Sequence, residues 1–300
     1  MIPVGRFAPT PSGRMHMGNL FSALLAWLSV RSRGGTLILR MEDLDTQRTN
    51  ASNADQLRRD LEWLGLTWDR ETEPQSRRSG AYLEALERLE AMGLVYPCFC
   101  SRSRLHSVNA PHNSDGVFLY DGRCRTLTPE EISAMDKAPA WRLRVPDREI
   151  CLTDGLQGDY CQNLSRDCGD FLVRRSDGMF VYQLAVVVDD HAAGVTEVVR
   201  GRDLLSSTPR QIWLQELLGY PRPRYFHVPL LLSPDGRRLS KRDRDMDLGV
   251  LSQRMGPEAL LGILSHWAGL QKTPAPVDLE TLTAEFSWDK VAKQDIFAVL

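Results

Sequence analysis

No stretch of this 300-residue chain approaches the ~20 consecutive apolar residues that a membrane-crossing helix needs. The longest candidate, Leu20 to Val30, carries Ser22 and Ser29 and is flanked by Arg31 and Arg33, so it reads as a buried helix. No apolar leader with a cleavage site is expected either, since the chain runs almost at once into a motif-rich loop; a cytoplasmic location is the expectation. Cysteine is scarce, with six residues, and in a cytoplasmic chain that argues against a disulfide framework. Neither sign of charge prevails: the formal net is -2, so a polyanionic partner must be met by a local patch and not by the average field. What remains is 42% hydrophobic and 25% charged, the composition of a globular chain large enough for two domains.

The stretch Arg6-Phe7-Ala8-Pro9-Thr10-Pro11-Ser12-Gly13-Arg14-Met15-His16-Met17-Gly18-Asn19 packs a loop, a histidine and two glycines between a short apolar opening and a run (Leu20, Phe21, Leu24, Leu25, Leu28) at helical spacing. It predicts strand, turn and helix, with Asn19 as N-cap. Such a turn aims backbone N–H groups and the positive helix end at a phosphate. Three readings compete. One is an ordinary connecting loop. A second is a P-loop, from the spacing of Gly13 and Gly18, but Asn19-Leu20 stands where Lys-Ser/Thr must be. The third is an adenylate site of the His-x-Gly type, which requires a distant lysine because the turn has no cation of its own.

Along the chain, Thr36 to Met41 reads as a strand delivering Glu42-Asp43-Leu44-Asp45 at its C-terminal end, where open parallel sheets bind ligands. Glu42 there suits a substrate ammonium, and Asp45 suits that role or a helix cap. Helical spacing follows over Ala51 to Leu64 and Ala81 to Met92, so alternating strands and helices predict a doubly wound α/β unit. From Tyr96 to about residue 175 the chain is polar and turn-rich, which predicts an inserted module with its own small core around Trp141, Leu143 and Val145. The α/β pattern resumes at the apolar run Met179 to Asp190, continues through Val198-Val199-Arg200, and reaches a helix opened by Thr208-Pro209 and closed near Gly219. Pro229 to Leu232 reads as a short buried strand, and Arg238-Leu239-Ser240-Lys241-Arg242 behind it supplies the distant lysine. Residues 222–244 hold Arg222, Arg224, Arg237, Arg238, Lys241, Arg242 and Arg244 against Asp235 and Asp243, a local basic patch. The expected division is 1–95 and 176–235 for the two halves of the α/β unit, 96–175 for the insertion, and 236–300 for the lysine loop and a helical remainder.

Cys98-x-Cys100 with Cys124 offers three soft donors, and a tetrahedral zinc site wants four. His106, His112 and Tyr120 are open as the fourth, with histidine the generic choice, and three metal-free buried thiols are the alternative.

Taken together, Arg6-Phe-Ala-Pro-Thr-Pro-Ser-Gly, His16-Met-Gly-Asn, Arg40-Met-Glu-Asp-Leu-Asp, Val188-Asp-Asp, Val199-Arg200 and Arg238-Leu-Ser-Lys-Arg resemble, over about residues 4–260, the catalytic half of the glutamyl-tRNA synthetases. The resemblance implies a Rossmann-like class I aminoacyl-tRNA synthetase catalytic domain with an inserted zinc-containing, acceptor-binding-like module, a short helical C-terminal part and no anticodon-binding domain. It implies ATP-dependent activation of L-glutamate, with Mg²⁺ beside the nucleotide. Long members continue into an anticodon-reading domain, whereas short ones place glutamate on the queuosine base at the wobble position of tRNA(Asp), which is the expected partner of a monomeric enzyme here. Charging the 3′ end of tRNA(Glu), or non-catalytic tRNA binding, are the other readings. By position, Arg6, Ala8, Thr10, Glu42, Tyr182 and Arg200 match the glutamate pocket, His16, Gly18, Asn19 and Lys241 the ATP site, with His16 and Lys241 catalytic, and Cys98, Cys100, Tyr120 and Cys124 the zinc ligands. Val186 departs from a substrate-side asparagine of the longer enzymes, and Arg242 from the last serine of the lysine loop.

Overall fold

The computed structural model describes residues 2–101, 119–237, 239 and 246–299. Its centre is a parallel layer. Strands β1 (Val4–Phe7) and β2 (Thr36–Leu39) pair in parallel, and β2 carries the short β3 (Arg70–Glu71) on its other side. The Thr196 N–H donates to the Val4 carbonyl at 2.9 Å, which sets β9 (Glu197–Gly201) beside β1, and β10 (Arg224–Val228) pairs in parallel with β9. The insertion contributes β4 (Val95–Cys98), β5 (Ala140–Leu143), β6 (Glu149–Asp154), β7 (Gly158–Asn163) and β8 (Phe171–Arg174); β4, β5 and β8 form an antiparallel sheet, and β6 and β7 a hairpin. A last parallel pair joins β11 (Leu231–Leu232) to β12 (Ile296–Phe297).

Consecutive strand residues point to opposite faces, and both faces of the parallel layer are covered. Leu39, Val199 and Phe226 enter one core with helices α1 (Met17–Arg31), α2 (Ala51–Trp63), α6 (Pro257–Trp267) and α7 (Leu279–Glu285). Their neighbours Ile38, Val198 and Tyr225 enter a second core with α3 (Ser79–Ala91), α4 (Tyr182–Ala192) and α5 (Thr208–Leu218). No described helix is long and apolar enough to cross a membrane.

Three expectations change, and one stretch left without an element type gains one. His16, not Asn19, is the N-cap of α1: its Nδ1 accepts the Gly18 N–H and its own N–H is held by Asn19 Oδ1, a reciprocal capping box. The apolar run after Met179 is a helix, α4, buried on nearly every side. Leu143 and Val145 do not build a core of their own; they pack in the second core with Leu184 and Ile212 of the α/β unit, while Trp141 sits partly buried at its edge. Finally, Cys151 and Cys161, ten residues apart, stand opposite each other in the β6–β7 hairpin and are joined by a disulfide, against the expectation from cysteine scarcity. The pairing register of the hairpin, invisible in a count of cysteines, brings the two sulfurs together.

Candidate active site

The C-terminal ends of β1, β2 and β9 and the N-terminus of α1 surround a cavity of about 440 Å³. Arg6, Ala8, Thr10, His16, Gly18, Asn19, Glu42, Tyr182 and Arg200, which the sequence places in two subsites, all line it. Lys241 lies outside the described residues, as do Arg238, Ser240 and Arg242. Val186 does not line the cavity; it is buried in the second core.

Each wall has a local cause. β1 is short, so Arg6 ends its buried part, and the chain then runs through Pro9 and Thr10 along the wall of the cavity before bending at Ser12 and Gly13. His16 is fixed by its capping role. Because Nδ1 accepts the Gly18 N–H at 3.1 Å, the neutral ring carries its proton on Nε2. A Cβ on Gly18 would come within 3.1 Å of the His16 ring, so glycine keeps that contact open. Glu42 is tied to the loop after β1 by its N–H, which donates to the Pro9 carbonyl at 3.0 Å.

Beneath the cavity lies a charged network whose members stand in the motifs Arg40-Met-Glu-Asp and Val188-Asp-Asp, with a pairing the motifs do not reveal. Arg40 is 1% exposed; it donates to Asp190 Oδ1 at 2.6 Å and to Glu42 Oε1 at 3.1 Å. Burial works against its charge, but Asp190, Glu42 and Asp189 more than offset that and hold its pKa above the ordinary arginine value. Burial likewise penalises the Asp190 carboxylate, yet Arg40 and Arg6 prevail and keep it below the usual range. At Glu42 burial wins over Arg40 and Arg6, and the carboxyl sits above its ordinary value. Asp189, one residue from Asp190, accepts from Gln75, Arg78 and Tyr82 and so fastens α3 and the segment before it to α4.

Arg200 differs from these. Among the described residues its partners are neutral: Nε donates to His227 Nε2 at 3.0 Å, and its terminal nitrogens meet Thr208 Oγ1 at 2.9 Å, Tyr182 Oη at 3.4 Å and the Leu204 carbonyl. It is 5% exposed and lines the cavity; among the described residues no carboxylate lies at ion-pair distance from it, and the acid it acts on through space, Asp190, is already shared by Arg40 and Arg6. A cavity lined by one buried cation with no ion-pair partner among the described residues, a second (Arg6) shared with Asp190, and the carboxyl of Glu42 is complementary to a small zwitterion bearing an extra carboxylate.

The cysteine cluster is assembled at the edge of the insertion. The sulfurs of Cys98, Cys100 and Cys124 lie within 4.8 Å of one another. Tyr120 Oη is 3.5 Å from Cys98 Sγ and 3.9 Å from Cys100 Sγ, and it accepts the Cys124 N–H at 2.9 Å. Arg142 donates to Cys98 Sγ at 3.2 Å and lies over the Tyr120 ring at 3.7 Å. Burial opposes the Cys98 thiolate, but the Cys100 backbone N–H and Arg142 outweigh it and lower its pKa, whereas burial and the neighbouring thiols push Cys100 up to about 11. Three convergent sulfurs can hold a thiophilic metal ion. His106 and His112 lie outside the described residues.

A doubly covered parallel layer, a histidine-capped helix facing the strand ends, and buried arginines beside it define the catalytic domain of a class I synthetase. The family of tRNA synthetases class I (E and Q), catalytic domain, matches residues 4–264. The glutamyl-Q tRNA(Asp) synthetase of Symbiobacterium thermophilum is 46% identical over 308 residues, covering 97% of this chain and 94% of that protein. The glutamyl-Q tRNA(Asp) synthetase of Neisseria meningitidis is 51% identical over 239 residues, 79% of this chain and 80% of the relative. Among solved structures, a glutamate tRNA ligase from Elizabethkingia meningosepticum in complex with its amino acid superposes with a TM-score of 0.85 at 28% identity, covering 99% of this chain and 67% of that one. The chain belongs to the glutamyl-Q tRNA(Asp) synthetases.

Proposed function

We propose that this chain is a ligase that activates L-glutamate with ATP as glutamyl-adenylate and transfers the glutamate to the queuosine base at the wobble position of tRNA(Asp). The observation that carries the reading is the buried Arg200, which has no carboxylate at ion-pair distance among the described residues and lines one cavity with Glu42 and the capped end of α1. A glutamate side-chain carboxylate supplies the missing counter-charge, and Glu42 receives the α-ammonium. Arg6 and Tyr182 close the pocket, and Ala8 and Thr10 form its near edge.

In the first step the α-carboxylate oxygen bonds to the α-phosphorus of ATP while the bond to the pyrophosphate oxygen breaks. The Nε2–H of His16, the positive end of α1 and Lys241 offset the charge growing on the departing pyrophosphate, and a Mg²⁺ ion, when bound beside the nucleotide, would supply further positive charge there. In the second step a hydroxyl of the queuosine cyclopentenediol attacks the activated carbonyl; an ester forms, AMP leaves, and the hydroxyl proton passes to the phosphate oxygen or to water. Holding the reactants in line accounts for most of the rate, since the protein makes no covalent bond.

Cys98, Cys100, Cys124 and Tyr120 would hold one zinc ion, which when bound cross-links the strand β4 to the segment around Tyr120 and plays a structural part. The spacing of Tyr120 Oη from two of the sulfurs supports it as fourth donor. We place the protein in the cytoplasm, where its tRNA is found.

The test is transfer of labelled glutamate to purified tRNA pools with and without queuosine, run beside glutamate-dependent ATP–pyrophosphate exchange. Label on queuosine-containing tRNA(Asp) alone is expected; label on tRNA(Glu), or transfer independent of queuosine, would replace the proposed acceptor. His16→Ala and Lys241→Ala are expected to lower exchange by about 10²-fold or more with the fold intact. An unchanged rate would remove that residue from the mechanism.

A further inference from the structure

Behind Arg200, on the side away from the cavity, two buried groups of the insertion and the parallel layer meet. Asp154 closes β6 at the hairpin turn; its Oδ1 accepts the N–H groups of Leu156, Gln157 and His227 at 3.0, 2.9 and 3.1 Å. Its Oδ2 lies 2.6 Å from Nδ1 of His227, a β10 residue with no exposed surface. On the other edge of the ring, Nε2 is 3.0 Å from Arg200 Nε. A guanidinium nitrogen can only donate, so Nε2 must accept, the ring must be neutral, and its one proton must sit on Nδ1 facing Asp154. Burial first, and Arg200 after it, push the imidazole pKa down to about 4, consistent with that state.

The arrangement fixes an arginine without neutralising it. A carboxylate directly against Arg200 would hold the guanidinium as well, but it would cancel the charge the pocket presents. The neutral ring sets Asp154 one residue further back. Thr208 Oγ1, 2.9 Å from Arg200 and 3.2 Å from His227 Nε2, completes the brace and leaves the Tyr182 side of the guanidinium to the cavity.

We propose that His227, held in one tautomer by Asp154, is a positioning residue that sets the plane of Arg200 for the side-chain carboxylate of the amino acid and thereby the choice of glutamate over glutamine. This rests on the reading of the cavity as a glutamate pocket.

Three variants separate the role from general stability. In Asp154→Asn the amide oxygen stays with the three backbone N–H groups, so the amide nitrogen faces Nδ1 and drives the ring proton to Nε2, against Arg200. In His227→Asn the donor toward Asp154 is kept and the acceptor for Arg200 is lost; in His227→Gln the amide oxygen reaches the Nε2 position and restores that acceptor. Measured by ATP–pyrophosphate exchange, Asp154→Asn and His227→Asn are expected to raise the KM for glutamate about 10- to 100-fold, the loss of one hydrogen bond to a charged group, with the KM for ATP within about twofold. The ratio of glutamate to glutamine use should fall in step, and His227→Gln should recover most of both. Nitrogen-15 shifts of the ring report the tautomer directly: protonated Nδ1 in the wild type, protonated Nε2 in Asp154→Asn. Variants that raise both KM values alike, or leave that for glutamate unmoved, would overturn the proposal while the glutamate reading stands. A wild type with no glutamate-dependent exchange would overturn both.

Discussion

At the scale of single residues, a histidine buried against an arginine has consequences for acid stability. His227 titrates near pH 4 in the folded chain and near ~6.5 when unfolded. Between those values the unfolded state binds more protons, so stability falls as the pH is lowered through that window, by up to about 3 kcal/mol. Asp154, kept below the ordinary carboxylate range despite burial by His227 and backbone N–H groups, stays charged there. Urea unfolding at pH 4.5 and pH 7 should therefore show a larger loss in the wild type than in His227→Gln, which has no ring to protonate. Equal losses would assign the acid sensitivity to other groups. Neither residue was visible in the sequence, because they lie 73 positions apart and meet only through the pairing of elements. Arg6, His16, Glu42 and Arg200, which line the cavity, were named beforehand by different routes: His16 and Glu42 from a turn motif and a strand end, Arg6 and Arg200 through the family resemblance.

At the scale of elements, the site depends on how closely α1 lies on β1. Gly5 is the contact: a Cβ there would fall 2.5 Å from Val30 Cγ2 of α1 and 3.8 Å from the Glu197 carbonyl. Gly5→Val must push the helix away from the strand, at a cost of about 1–3 kcal/mol for an overpacked core. It would also shift His16, at the helix start, relative to Arg6, on the strand. The expected outcome is a melting temperature lower by several degrees together with a raised KM for ATP in exchange; a drop in stability with unchanged KM would show that the helix start is positioned independently of this contact. These two elements were legible because one is short and apolar and the other has a long periodic face. The helix at Tyr182–Ala192 was not, because residues Gln183 to Asp190 are all buried, and burial on every side erases the 3.6-residue alternation that marks a helix.

At the scale of the whole molecule, the sequence conveyed the doubly wound layer through its alternation of strands and helices but not the sharing of one core between the insertion and the α/β unit. Periodicity reports which face of an element is apolar, and it is silent on which neighbour covers that face. The same limit applies to charge. With a formal net of -2 the molecule has no field to draw in a polyanion, and the described members of the basic stretch are partly spoken for: Arg222 pairs with Glu216 and Arg237 with Asp235. The transfer step, which needs a folded polyanion to dock, must then depend on a few local contacts, whereas activation involves small ligands enclosed in a cavity. Each phosphate neutralised by a lysine or arginine releases condensed counterions, so the apparent affinity for tRNA should fall linearly with salt on logarithmic axes, with a slope near the number of contacts. Removing one contributor, as in Arg244→Gln, should flatten that slope by about one and leave ATP–pyrophosphate exchange nearly unchanged. Measuring both steps from about 50 to 300 mM salt decides it. If exchange falls in parallel with transfer, salt acts on the catalytic cavity and not on a basic docking surface, and the patch at residues 222–244 has no part in holding the tRNA.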